Sequence, residues 1–64
     1  MAFNNLDTLY DKLQNIINDS QSDVTKFVEG NNSAGTRVRK AMQSVKALAQ
    51  EVRTEVQSQK NAQF

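Results

Sequence analysis

Arg39, Lys46, Arg53 and Lys60 recur at intervals of seven. Seven steps of about 100° bring a helix back to within about 20° of its starting direction. On a helix these four cations therefore share one stripe, about 30 Å long at about 1.5 Å per residue. A row of arginines and lysines offers charge and hydrogen-bond donors to phosphate oxygens, and binding a polyanion releases its condensed counterions. Arg37 and Lys40 widen the row at its start, beside the stretch GNNSAG, which holds both glycines of the chain. There Ser33 and Gly35 would let a phosphate approach backbone N–H groups at a helix start, with Thr36, Arg37, Arg39 and Lys40 closing around it. The bland alternative is a solvated basic face, partly paired with acids of the first half. Surface pairs of that kind contribute about 0–1 kcal/mol each.

The rest of the composition narrows the chemistry. The 64 residues include no histidine, cysteine, proline or tryptophan. The commonest general base and metal ligand is missing, and so are thiolate sites and disulfides. The seven acidic residues are scattered, so an enzyme is not expected, nor a metal, a cofactor or a small-molecule substrate. The start, MAFNNLDTLYD, has neither a basic head nor an apolar run and does not read as a signal peptide. No apolar stretch approaches the roughly 20 residues that span a bilayer. A soluble cytoplasmic protein without a membrane partner is expected.

Charge divides the chain. Residues 1–29 carry Lys12 and Lys26 against Asp7, Asp11, Asp19, Asp23 and Glu29, a net −3. Residues 30–64 carry six basic residues against Glu51 and Glu55, a net +4. Such asymmetry suits either an anionic partner for the second half or mutual neutralisation of two packed halves.

The elements that position the row follow from apolar spacing. Phe3, Leu6, Leu9, Tyr10, Leu13, Ile16, Ile17, Val24, Phe27 and Val28 alternate threes and fours, one face of a helix near 4–29. Asn4 or Asn5 is positioned to cap it, with Asp7 in the first turn. The seam weakens across NDSQSD. Val38, Ala41, Met42, Val45, Leu48, Ala49, Val52 and Val56 mark a second helix near 32–59, with a frayed tail at 60–64. Gly30 suits the left-handed position that ends the first helix, leaving a turn at 30–31, and Asn31 or Asn32 can cap the second. So short a connection makes the helices antiparallel neighbours in a single all-α hairpin domain. Ala34 and Gly35, small residues on the second seam, would let the helices come close beneath Phe27.

One hairpin without staples has little core to offset the ordering of its chain. The paired apolar residues Leu9–Tyr10, Ile16–Ile17 and Leu48–Ala49 make wide stripes that can face more than one neighbour. Self-association follows, most simply a homodimer forming a four-helix bundle. Its core would draw on Leu6, Leu9, Leu13, Ile16, Ile17, Phe27, Val38, Met42, Val45, Leu48 and Val52.

In the second half, Gly30-Asn31, the small patch Ser33-Ala34-Gly35, Arg37-Val38-Arg39-Lys40 and then Val45-Lys46-Ala47-Leu48-Ala49-Gln50 follow one another. In these motifs the chain resembles the bacterial histone H1-like nucleoid proteins, in their short form without a tail. The match covers nearly all of the second half. The first half matches as an amphipathic helix ending in Thr25-Lys26-Phe27. The resemblance implies DNA binding and a part in chromosome organisation at the nucleoid, not the winged helix of eukaryotic linker histones. Longer members carry a lysine-rich tail, and this sequence ends at Gln63-Phe64. With no aromatic in the basic half except Phe64 and no evident base-reading Asn or Gln, contact with duplex DNA through the phosphate backbone is expected. Two other readings stay open: a dimeric protein-interaction module, and an RNA-binding four-helix bundle.

Overall fold

Two helices and one turn account for residues 4–62, which the computed structural model describes: α1, Asn5–Val28, and α2, Asn32–Ala62. Phe3 and Phe64 lie outside the described residues. Asn4 is the α1 cap, extended at φ −76° and ψ 130°, and its Oδ1 accepts the Leu6 N–H at 2.8 Å. Asp7 lies in the first turn, where the helix dipole favours a carboxylate.

The turn is built from its glycine. Gly30 has φ +107°, a conformation that clashes with a Cβ in other residues. Its N–H donates to the Phe27 carbonyl at 2.9 Å, and the Asn31 N–H reaches back to the Lys26 carbonyl at 3.0 Å. This pair of bonds is a Schellman motif, which satisfies carbonyls that the helix end would otherwise leave orphaned. Asn31 then caps α2, its Oδ1 accepting the Ala34 N–H at 3.1 Å. The chain reverses, and α1 and α2 pack as an antiparallel all-α hairpin.

The packing seam follows the threes-and-fours pattern. On α1, Leu6, Leu9, Leu13 and Ile16 are half-buried, Ser20 is buried and Asp23 is half-buried. On α2, Ala34 is fully buried, followed by half-buried Val38, Ala41, Val45, Leu48, Val52, Glu55 and Gln59. Side-chain bonds between the helices fix the register, linking Asn4 to Gln59, Asn5 to Glu55 and Asp23 to Arg37. In that register Leu13 lies level with Leu48, Ile16 with Val45, and Ser20 with Ala41. The NDSQSD stretch is helical throughout, and its two seam residues, Ser20 and Asp23, find polar partners. The Ser20 hydroxyl donates to the Ile17 carbonyl at 2.9 Å, and Asp23 accepts Arg37 Nε at 2.9 Å.

The far end also departs from the apolar pattern. α2 continues to Ala62, through residues where the fading seam suggests fraying. Gln59 takes the next seam position and is held there. Its Nε2 donates to Asn4 Oδ1 at 2.7 Å and to Glu55 Oε1 at 3.2 Å, while Asn5 Nδ2 donates to Glu55 Oε2 at 3.2 Å. A polar clasp thus closes the open end of the hairpin where apolar residues run out.

At the turn end the fit is steric. A Cβ on Gly35 would lie 2.5 Å from Phe27 Cδ1 and Cε1. Glycine in a helix interior costs about 1 kcal/mol relative to alanine, and here the ring occupies the space released. Gly35→Ala alone is expected to be neutral or destabilising, whereas in a Phe27→Ala background it stabilises by about 1 kcal/mol. Urea unfolding of the four proteins in this double-mutant cycle measures the difference. Equal effects in both backgrounds would contradict a packing role for Gly35.

The two broad faces of the hairpin differ. One step past a seam residue turns each helix in the same sense about its own axis, and in antiparallel helices both steps lead to the same face. Tyr10, Ile17 and Val24 on α1, with Met42 and Val56 on α2, occupy that face and are exposed. The opposite face carries Asn5, Lys12, Gln50, Glu51, Thr54 and Glu55 around a shallow groove.

Candidate nucleic-acid interface

An unbroken α2 keeps Arg39, Lys46, Arg53 and Lys60 on one stripe, and all four side chains are exposed. Over its length the row drifts by about 60°, the sum of about 20° per heptad on a straight helix. Among the described residues the ion pair within 4.0 Å is Arg37 with Asp23, so none of the four is tied to a described carboxylate. Glu55 is turned into the seam and held by Asn5 and Gln59, and Glu51 lines the opposite polar face. The acids of α2 are thereby kept off the row. No acidic residue lies in the first turn of α2, and Lys60 lies in the last, where the dipole favours a cation.

The remaining basic and hydroxyl residues fall elsewhere. Two helical steps are about 200°, so Arg37 projects from the flank opposite Arg39, and Asp23 holds it there. Lys40 is about 100° from Arg39 and lies on the outer surface nearer to Arg37. Ser33 and Thr36 are exposed near the start of α2. The Phe27 ring lies against Gly35, and a groove beside it is lined by Phe27, Asn32, Gly35, Thr36, Val38 and Arg39. The structure thus brings together the four heptad-spaced cations, and separates them from Arg37 and Lys40.

The other singled-out residues lie mostly between the helices. Leu6, Leu9, Leu13, Ile16, Val38, Val45, Leu48 and Val52 line the seam of the hairpin itself. Ile17 and Met42 stand outside it, 47% and 42% exposed, and Phe27 covers Gly35.

A second row escaped the reading of charge alone. Gln43, Gln50 and Gln57 also recur at intervals of seven, each four residues beyond a cation of the row. Residues four apart are neighbours on a helix surface. A groove lined by Val38, Arg39, Met42, Gln43 and Lys46, and another by Gln50, Arg53, Thr54, Gln57, Ser58 and Asn61, run beside these pairs. Arg39, Lys46 and Arg53 thus each have an amide four residues on along the same side of the helix. The period was legible; no charge marked it. No cluster of three or more carboxylate, histidine or cysteine side chains able to hold a metal occurs among the described residues. Neither described helix is long and apolar enough to cross a membrane.

The fold is a helical hairpin with one cationic flank, and comparison with known families supplies the class. The family model of histone H1-like protein Hc1 matches residues 7–62, and the chain belongs to that family. The match covers both helices, not the basic half alone. The family is one of structural DNA-binding nucleoid proteins and not of enzymes, so in general terms the partner is DNA. No curated protein and no solved structure matches the chain.

Proposed function

We propose that this protein binds duplex DNA through the phosphate backbone, without sequence preference, and so organises or compacts the chromosome. Arg39, Lys46, Arg53 and Lys60 neutralise phosphates along the duplex, with the neighbouring glutamines donating further hydrogen bonds. Thr36 and Ser33 extend the contact around the turn end, while Lys40 and the Asp23-paired Arg37 lie outside the row. The observation that carries this reading is the row itself: four exposed cations at a strict interval on one continuous helix, none paired with a described carboxylate. The row spans about 30 Å, close to the 34–36 Å of one duplex turn. Nothing in it offers the aromatic stacking that single strands favour.

A salt series with random-sequence duplex tests the proposal. Four neutralised phosphates give a log–log slope near −3.6, so affinity falls about 150-fold between about 50 and 200 mM salt. A slope near zero would rule out phosphate neutralisation. Competition by structured RNA at equal strength would move the preference away from DNA.

A further inference from the structure

The row of cations carries no aromatic of its own, yet the fold delivers one to its start. Phe27 belongs to the acidic first half and lies in the last turn of α1. The reversal at Gly30 brings it onto the first turns of α2. One edge of its ring, Cδ1 and Cε1, leans on Gly35, and the residue stays 51% exposed. Gly35 and Arg39 are four residues apart and so are neighbours on the helix surface, as are Asn32 and Thr36. With no side chain at Gly35, the first cation of the row stands beside the ring. These residues and Val38 line an open groove of about 470 Å³, within the roughly 300–1,000 Å³ of small-molecule sites. Phe27 and Val38 give it an apolar wall, and Asn32, Thr36 and Arg39 place exposed polar groups around it. None of the lining residues is acidic.

We propose that this groove receives one unpaired base of a DNA strand whose phosphates lie along the row. The base stacks on the Phe27 ring. Arg39 holds its phosphate, and the Asn32 amide and Thr36 hydroxyl hydrogen-bond its edge. The inference rests on the proposed phosphate binding and adds a preference to it. Position and chemistry both point to a base. The groove is continuous with the row, because Arg39 belongs to both. An aromatic face beside a guanidinium suits a flat ring joined to a phosphate. A base inside an intact duplex reaches the ring only after unstacking, which is costly. A base already unpaired, at a bulge, a mismatch or a strand end, avoids that cost. Every base has a π-face, so the preference is for interrupted pairing and not for a sequence. On a chromosome the protein therefore collects where pairing is broken.

Three duplexes with the same flanking sequence test this by fluorescence anisotropy. One is fully paired, one carries a single unpaired nucleotide, and one carries the same bulge without its base. The third separates stacking from the bend that a bulge introduces. The bulge with its base is expected to bind about tenfold more tightly than the baseless bulge, a typical effect of base–aromatic stacking. Phe27→Leu keeps an apolar cover on Gly35 without a ring, and is expected to bind the two bulges alike. In the wild type the Phe27 ring-proton NMR signals are expected to move upfield with the base present and to stay in place without it. That readout holds even where Phe27→Leu lowers stability. Equal affinity of the wild type for the two bulges, or a preference that persists in Phe27→Leu, would overturn the base site. Equal bulges together with the expected salt slope on the paired duplex would leave the phosphate reading standing. Loss of binding to all three duplexes would refute the phosphate reading and this site with it.

Discussion

Replacing Arg39, Lys46 and Arg53 together by glutamine lowers the salt slope of DNA binding from about −3.6 to about −0.9. At about 0.1 M salt each neutralised phosphate contributes about 0.9 decade of affinity, so the triple variant binds about 500-fold more weakly. Glutamine is a good helix former and keeps the length of the side chain. The three positions are exposed and lie outside the seam, so helix content and unfolding midpoint are expected to stay near those of the wild type. Fluorescence anisotropy across a salt series, with circular dichroism as control, separates lost contact from lost fold. Arg37→Gln serves as comparison. Arg37 is paired with Asp23 on the other flank, so its loss is expected to change the slope by less than one contact. A triple variant with an unchanged slope would locate the binding elsewhere.

The second large effect lies in the seam. Leu13→Ala and Leu48→Ala are each expected to destabilise the fold by about 2 kcal/mol, the low end for a leucine truncated in a core, because both are half-buried. A chain of this size has a total stability of roughly 3–10 kcal/mol, so either change removes a large share. The two residues are level across the seam, and the double variant should depart from additivity by at least about 0.5 kcal/mol. Gln14→Ala, exposed beside Leu13, changes stability by less than about 0.5 kcal/mol. Urea unfolding followed by helix signal measures all four. Additive losses, or losses no larger than at Gln14, would contradict the register.

Helix type and pairing were legible because apolar residues at threes and fours leave few alternatives, and because Gly30 and the asparagines around it are chemically suited to a helix end and a helix start. Choosing among those asparagines needed coordinates: Asn4 and Asn5 are equal on paper, and only the position of the Leu6 N–H selects Asn4. The end of α2 was hidden for a different reason. Gln59 and Glu55 hold seam positions through bonds to Asn4 and Asn5, partners fifty or more residues away in sequence. Apolar spacing also could not divide the two sides of a wide stripe. Leu9 and Tyr10, or Ile16 and Ile17, are adjacent letters, yet Leu9 and Ile16 pack between the helices while Tyr10 and Ile17 face outward. At the site, the heptad spacing of the row was written in the chain. The pairing of Arg37 with Asp23 and the cover of Gly35 by Phe27 were not, since both depend on the register of the turn.

The most direct test follows side-chain and amide NMR signals during titration with a random-sequence duplex. If α2 presents its cations as one continuous row, the largest shifts fall on Arg39, Lys46, Arg53 and Lys60, with Gln43, Gln50 and Gln57 beside them. Largest shifts on Lys12, Arg37 and Glu51 across the hairpin, or shifts scattered evenly over both helices, would contradict it.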